Sequence, residues 1–111
     1  MLDRLEALLI ETARQKTMLT YRQVAQALSL TPPQVFQKAA ALLEALMRNH
    51  AQAGAAQLAS LVVSRARIDL PAPGYFMLMG ELGLYQGSTD GEDAQRFHKA
   101  EVQRCYEEFT G

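Results

Sequence analysis

The sequence has one cysteine, no tryptophan and two histidines among 111 residues. A single cysteine, Cys105, excludes an intramolecular disulfide, and the sequence contains no Cys/His cluster with the spacing of a zinc site. No nucleophile has a base at a suitable spacing, and no Lys-Ser/Thr pair follows the glycines at 80, 83 and 87, so the sequence contains no phosphate loop. We therefore predict no catalytic activity, no metal, no cofactor and no small-molecule substrate.

Long hydrophobic runs are also missing. No apolar run approaches the roughly 20 residues that a membrane helix needs. The first residues, Met-Leu-Asp-Arg-Leu-Glu, lack the basic segment and apolar stretch of a signal peptide. Together with the single cysteine, these absences predict a cytoplasmic protein that does not enter a membrane. A chain of this length predicts one domain over residues 1–111.

The charge balance gives little indication of a partner. The net charge of −1 argues against nucleic-acid binding by bulk charge alone. Basic residues prevail over 1–79, and acidic residues prevail over 80–111, a segment that contains the last predicted helix. The same asymmetry is equally expected if both are simply solvated faces.

The segment Thr20–Met47 has the pattern of two helices joined by a tight turn. Thr20 and Gln23 have capping-box spacing, which predicts a helix over about 20–28. After a turn at 29–31, Thr31 is expected to cap a second helix, with Pro32 and Pro33 in its first turn, running to about 48. Its predicted inner face consists of apolar residues: Val35, Phe36, Ala39, Leu42, Leu43 and Leu46. This pattern is typical of a helix-turn-helix, whose second helix commonly enters a DNA groove.

Two apolar segments follow that predict a hairpin. Leu61–Ile68 is β-branched at its start and then alternates, which indicates a strand with Arg65 and Arg67 on one face. A Pro/Gly-rich turn separates it from Tyr75–Met79, which we interpret as the returning strand. A hairpin in this position is a wing. The predicted fold is therefore α+β, mostly α: a winged helix-turn-helix core over 20–79, with terminal helices over 2–16 and 92–109, the last being an addition to the winged unit.

The order of these segments resembles a known family. Thr-Tyr-Arg-Gln-Val-Ala at 20–25, Arg-Asn-His at 48–50 and Leu-Val-Val-Ser-Arg at 61–65 resemble the DNA-binding domain of alkylguanine-DNA alkyltransferases and alkyltransferase-like proteins. The resemblance covers about 20–79 and implies that Tyr21 contacts a DNA phosphate beside a flipped base. The family's Pro-Cys-His-Arg motif corresponds to 62–65, where only Arg65 is retained. Neither the nucleophilic cysteine nor the tryptophan found in some alkyltransferase-like proteins is present, and the family's arginine finger corresponds to Val35 or Phe36. These departures exclude alkyl transfer and argue against base flipping.

The residues expected to contact DNA come from three segments. Gln and Lys side chains early in the second helix are suited to base edges in a major groove, and basic or tyrosine side chains are suited to the phosphate backbone. The predicted base-facing residues are Gln34, Gln37 and Lys38, and the predicted backbone-contacting residues are Tyr21, Arg22, Arg65 and Arg67. The alternative interpretation of both sets is a solvated helix face and a charged strand edge.

The favoured function is thus non-catalytic binding of double-stranded DNA, either as a transcription-regulator-like protein or as a sensor of DNA lesions. The alternative is a protein–protein interaction module on a winged scaffold, which the near-zero net charge and the acidic last helix favour. A homodimer is expected, because each terminal helix carries an apolar stripe outside the minimal winged unit. The stripes are Leu2, Leu5, Leu9 and Ala13, and Val102, Cys105, Tyr106 and Phe109. His98 is expected to be a half-buried structural histidine, and Cys105 is expected to be a buried, inert thiol.

Overall fold

Helices make up most of the computed structural model, which describes residues 1–67 and 70–109. The described elements include five α-helices, two short 3-10 helices (Leu58–Leu61 and Arg65–Arg67) and two two-residue strands, β1 (Leu19–Thr20) and β2 (Val62–Val63). The strands pair in parallel, Leu19 with Val62 and Thr20 with Val63. The α-helices are α1 (Leu2–Arg14), α2 (Tyr21–Ala27), α3 (Val35–Ala53), α4 (Pro73–Glu81) and α5 (Gly91–Phe109). The prediction of an α+β, mostly α fold is confirmed.

The centre of the core is the first 3-10 helix, in which all four residues are buried. Helices α1, α3 and α5 all pack against it. Each of these helices presents its apolar side inward at helical spacing, as Leu5, Leu9 and Ala13 do on α1. The first 3-10 helix is therefore the element around which α1, α3 and α5 pack.

The beginning of α2 follows the sequence closely. The Gln23 backbone N–H donates to Thr20 Oγ1 at 3.1 Å, and the Thr20 backbone N–H donates to Gln23 Oε1 at 2.9 Å. This reciprocal pair satisfies two backbone donors that the first turn of a helix leaves without partners. The predicted capping box, and the helix that it begins, are confirmed.

The predicted start of α3 is wrong. Thr31 does not cap it, and Pro32 and Pro33, joined by a cis peptide bond, precede the helix rather than forming its first turn. The residue before a proline is driven away from helical backbone angles, so Pro32 cannot be helical. Gln34 then takes the N-cap position with a left-handed φ of 63°, and α3 continues to Ala53, where Gly54 ends it at φ 65°.

The predicted wing hairpin is also wrong. Tyr75–Met79 lies within α4, and β2 is only two residues long. A short run that is apolar on both sides fits a buried helix as well as a strand, and Pro73 in the first turn was the signal for the helix. Beyond β2, Ser64 forms an isolated antiparallel bridge with Leu70, while Ile68, the predicted end of the strand, lies outside the described residues.

The terminal helices use their apolar stripes within one chain. Leu5, Leu9 and Ala13 of α1 and Val102 and Cys105 of α5 are buried in the common core, against which Leu2, Tyr106 and Phe109 also pack. The surface on which the homodimer was predicted is therefore already covered. None of the helices in the described ranges has both the length and the apolar character needed to span a lipid bilayer.

Candidate nucleic-acid interface

An open pocket of about 630 Å³ lies between α2, the turn that leads into α3, and the second 3-10 helix. We call it the α2–α3 pocket. Much of its wall is apolar: Ala25, Leu30, Pro32, Val35, Phe36, Ala66 and the ring of Tyr21. Its polar lining residues are Thr20, Arg22, Gln26, Ser29, Ser64 and Arg65. The strand pair β1–β2 brings two segments of this lining together, because Tyr21 and Arg22 directly follow β1 while Ser64 and Arg65 directly follow β2.

A second depression, of about 330 Å³, adjoins the first. We call it the polar depression, since its lining is Thr20, Arg22, Gln23, Gln26 and Arg65. Every one of these residues except Gln23 also lines the α2–α3 pocket. An apolar cavity and a cationic depression therefore share one border, and no acidic side chain within residues 1–67 and 70–109 lines either of them.

The sequence-predicted residues Arg22 and Arg65 meet at this border. Both side chains are exposed, and neither forms an ion pair or a hydrogen bond with another residue in the parts of the chain that the structure describes. A guanidinium without an internal partner keeps all its donors for a ligand, and its planar fork suits phosphate and carboxylate oxygens. The structure thus brings together two predicted backbone-contacting arginines that are 43 positions apart in the sequence.

Arg67 differs from Arg65, and the prediction that they share a face is wrong. Its Nη1 donates to the Pro71 carbonyl at 3.0 Å, its Nη2 donates to the Thr89 carbonyl, and its guanidinium lies over the Phe76 ring, 5.8 Å from the centroid. The segment is a 3-10 helix with about three residues per turn, so side chains two positions apart diverge instead of aligning as in a strand. Arg67 is therefore a structural tie between segments.

Tyr21 contributes its ring to the pocket and its hydroxyl to the fold. The hydroxyl oxygen accepts a hydrogen bond from the Ala72 backbone N–H at 3.0 Å, immediately before α4. Burial raises the pKa of Tyr21 above its ordinary value, the hydrogen bond from Ala72 opposing this in part. The ring centroid lies 6.5 Å from that of Phe36. Tyr21 thus forms an aromatic wall of the pocket while its polar end is held by the backbone.

The predicted base-facing residues lie at the beginning of α3, outside the pocket lining. Gln34, Gln37 and Lys38 are all exposed. Lys38 Nζ donates to the Thr31 carbonyl at 2.7 Å and so helps to close the turn before the helix. Because an ammonium has three donors, this bond leaves two for another partner.

Sequence reasoning missed Phe36. Its spacing from Ala39 and Leu43 predicted an inward position, but its side chain is 62% exposed. The apolar stripe of α3 is buried only where other elements pack against it. Phe36, on the first turn of α3, lies beyond those elements and lines the α2–α3 pocket. Its position in the first turn of a helix that follows two prolines was the available signal.

A second polar cluster is closed to solvent. His98 Nε2 is 2.7 Å from the Ser60 carbonyl oxygen, Ser60 Oγ hydrogen-bonds the Tyr75 hydroxyl, and Cys105 Sγ donates to the Gln57 carbonyl at 3.3 Å. We call Gln57, Ser60, Tyr75, His98 and Cys105 the buried polar cluster. Burial raises the pKa of Cys105 to about 12 and also raises that of Tyr75. The prediction that Cys105 is buried is confirmed, and His98, which was predicted to be half-buried, is more deeply buried than expected.

Neither cluster resembles a metal centre. Within residues 1–67 and 70–109, no group of three or more His, Cys, Asp or Glu side chains is placed to hold a metal ion. The chain matches no protein-family model, no curated protein and no solved structure. Function therefore has to be argued from the residues themselves.

Proposed function

We propose that this chain binds double-stranded DNA without catalysing a reaction, using the surface formed by α2, the beginning of α3 and the second 3-10 helix. The observation that supports this proposal is the pair of exposed guanidiniums, Arg22 and Arg65, which have no internal partner in the described residues and lie beside an exposed helix start. Phosphate contacts supply most of the affinity of such proteins, and arginine is well suited to make them.

The residues divide into three roles in this proposal. Arg22 and Arg65 hold the phosphate backbone, with the Tyr21 ring beside them. Gln34 and Gln37 face base edges, where a glutamine can bond the N6/N7 edge of adenine. Lys38 contributes its two remaining donors to phosphate or guanine, whereas Arg67 has a structural role only.

Three features of the sequence hypothesis remain proposals. The winged helix-turn-helix describes the relation of α2 to α3, with the second 3-10 helix in the place of the predicted hairpin. A homodimer would have to form through a surface other than the buried stripes of α1 and α5. The resemblance to the alkyltransferase-like proteins remains limited to the quoted motifs, and Val63 at the position of the family's nucleophile cannot accept an alkyl group.

A salt-dependent titration against mixed-sequence duplex DNA, followed by fluorescence anisotropy, tests the proposal. Binding should weaken steeply with salt, and Arg65→Gln should reduce the slope of log affinity against log salt by about one. Arg96→Gln on α5 is the matched control, since this arginine is similarly exposed but lies outside the site. Absence of binding down to low salt would exclude the function and leave the protein-interaction alternative.

The same assay separates the two forms of the DNA hypothesis. A transcription-regulator-like protein should prefer particular sequences within a duplex pool, because the glutamines read base edges. A lesion sensor should prefer a duplex that carries a single O6-methylguanine over the same duplex without it. In both cases the intact mass of the protein should not change after incubation with the alkylated duplex.

A further inference from the structure

We propose that the α2–α3 pocket and the polar depression together form a binding site for a small aromatic carboxylate, a planar ring system that carries one acidic group. The ring would occupy the apolar pocket, and the carboxylate would occupy the border that Arg22 and Arg65 share. The sequence alone gave no indication of a small-molecule ligand.

The size and lining of the pocket support this class of ligand. Its volume of about 630 Å³ lies within the range of roughly 300–1,000 Å³ that is typical of small-molecule sites. Such sites combine a mainly apolar wall with a few polar groups that fix the orientation of the ligand. Here the apolar residues come from α2, the turn, α3 and the second 3-10 helix, and four of the six polar lining residues also line the adjoining polar depression.

Two aromatic side chains make the apolar part suitable for a flat ring. Tyr21 and Phe36 lie 6.5 Å apart between centroids with their planes tilted by 45°. Phe36 is 62% exposed, so a ring that packs against it removes apolar surface from water. Offset and edge-on ring contacts at about 4.5–7 Å are the favourable geometries, and a bicyclic ligand can make them with these walls.

The positive charge of the shared border is the reason why the proposed ligand carries an acidic group. Among the residues that the structure describes, Arg22 and Arg65 have no partner and no acidic side chain lines either cavity. A carboxylate accepts two parallel hydrogen bonds from one guanidinium, which gives a strong and directional contact. An uncharged ring would gain only the apolar contacts and would leave both guanidiniums without a partner.

The ligand would occupy the same guanidiniums that the proposed DNA complex needs. The aromatic carboxylate and duplex DNA should therefore exclude each other, and this consequence, unlike the binding itself, rests on the proposed function. By linkage, the ligand would weaken DNA binding by the same factor as DNA weakens ligand binding.

Titration of the free protein with 2-naphthoate, followed by ¹H–¹⁵N correlation NMR and calorimetry, tests the site. We expect saturable shifts at Arg22, Val35, Phe36 and Ala66, and at least tenfold weaker binding of the uncharged 2-naphthalenemethanol. Equal binding of the two compounds, shifts centred elsewhere, or no saturation at millimolar concentration would overturn the proposal.

Matched variants separate the contributions of the two walls. Arg65→Gln and Arg22→Gln should each weaken 2-naphthoate binding about tenfold, whereas Arg96→Gln should not. Phe36→Ala should weaken it several-fold, and Met77→Ala, at a side chain exposed to nearly the same extent (63% against 62%), should have no effect. These substitutions are at exposed side chains, so the variants should remain folded. Equal affinities across the whole set would overturn the site.

Competition with duplex DNA distinguishes this proposal from the proposed function. Binding of 2-naphthoate by a protein that binds no DNA would support the site and exclude the DNA function. Binding of DNA by a protein that does not bind 2-naphthoate would exclude the site and support the DNA function. If both bind, displacement of one by the other supports the shared border, and independent binding excludes it.

Discussion

The α2–α3 pocket and the buried polar cluster are both rich in polar side chains, but they differ in how those side chains are satisfied. In the cluster, the Ser60 hydroxyl, the Tyr75 hydroxyl and His98 Nε2 have partners within the chain. At the pocket, Arg22 and Arg65 have none in the described residues. Arg65 and Arg67 repeat the contrast within a single turn, since only Arg67 is bonded to the surrounding backbone.

The two regions differ because one is buried and the other is exposed to water. A polar group removed from water costs free energy unless it gains a hydrogen bond, so a buried group is retained where the fold supplies a partner. An exposed group is satisfied by water and keeps its donors for a ligand. Polar residues with internal partners therefore stabilise the architecture of this chain, whereas Arg22 and Arg65 keep their donors for a ligand at the α2–α3 pocket.

The strongest test of this contrast places the same charge in each region. Ser60→Asp puts a carboxylate where the side chain has no solvent exposure, and we expect it to cost more than about 4 kcal/mol of the free energy of unfolding or to prevent folding. Ser29→Asp on the exposed pocket wall should change stability by less than about 0.5 kcal/mol while weakening anion binding. Urea unfolding followed by circular dichroism gives both values, and equal losses would remove the distinction.

Alkaline pH should destabilise the fold, in part through the buried polar cluster. The pKa of Cys105 is about 12 in the fold against an ordinary value of 9.0, so the unfolded chain loses this proton first. Stability should therefore be full below pH 9 and fall by about 1.4 kcal/mol per pH unit as the pH rises toward 12. The raised pKa of Tyr75 adds to the loss above its ordinary value of 10.0.

Cys105→Ala isolates the contribution of the thiol in that experiment. The variant should be less stable at neutral pH because it loses packing, and between pH 9.0 and 10.0 its stability should decline less steeply than that of the wild type, because the tyrosines with raised pKa values still contribute to the slope but the thiol does not. Urea midpoints measured across this interval compare the two proteins. An identical decline in both would show that the thiol is not the responsible group.

The two arginines of the second 3-10 helix provide a smaller test. Arg67→Gln removes donors to two carbonyls and the contact with the Phe76 ring, and should cost about 1–3 kcal/mol of stability. Arg65→Gln should change stability by less than about 0.5 kcal/mol, because it removes no internal bond. Chemical denaturation measures both. A stability loss at Arg65 equal to that at Arg67 would contradict the division of roles.

The last test concerns base reading at the open surface. On a preferred duplex, Gln37→Ala should lose about 1–3 kcal/mol of binding free energy with little change on a mixed-sequence duplex. Gln52→Ala, an exposed glutamine near the other end of α3, is the control. Anisotropy titrations on the two duplexes measure the difference. Equal binding by wild type and Gln37→Ala on both would exclude the base-reading role.

Local signals predicted the elements whose causes lie within a few residues. The capping box at Thr20 and Gln23 fixed the start of α2, and the stripes on α1 and α5 predicted those helices within two residues at each end. The segment Tyr75–Met79 failed because a fully buried run has no periodicity that separates strand from helix. A segment that is buried on all sides carries no regularly spaced polar residues, so its sequence does not show whether it packs as a helix or as a strand.

The site was predictable in its residue types but not in its geometry. Tyr21, Arg22 and Arg65 could be named as cation and ring positions, yet their meeting at one border depends on the pairing of β1 with β2. The structural role of Arg67 depends on its hydrogen bond to the carbonyl of Thr89, which lies 22 positions away and which no local sequence pattern identifies as a partner. The exposure of the Phe36 side chain likewise depends on tertiary structure, because the elements that the structure describes leave most of this side chain uncovered.

The short parallel pair β1–β2 also determines when the site can exist. The border between Arg22 and Arg65 forms only after the chain has closed the long loop from Thr20 to Val63, and loop closure carries an entropic cost before any contact offsets it. The helices α2 and α3 alone carry only one of the two arginines. Competence to bind an anion at this border thus requires the long-range pairing of β1 with β2.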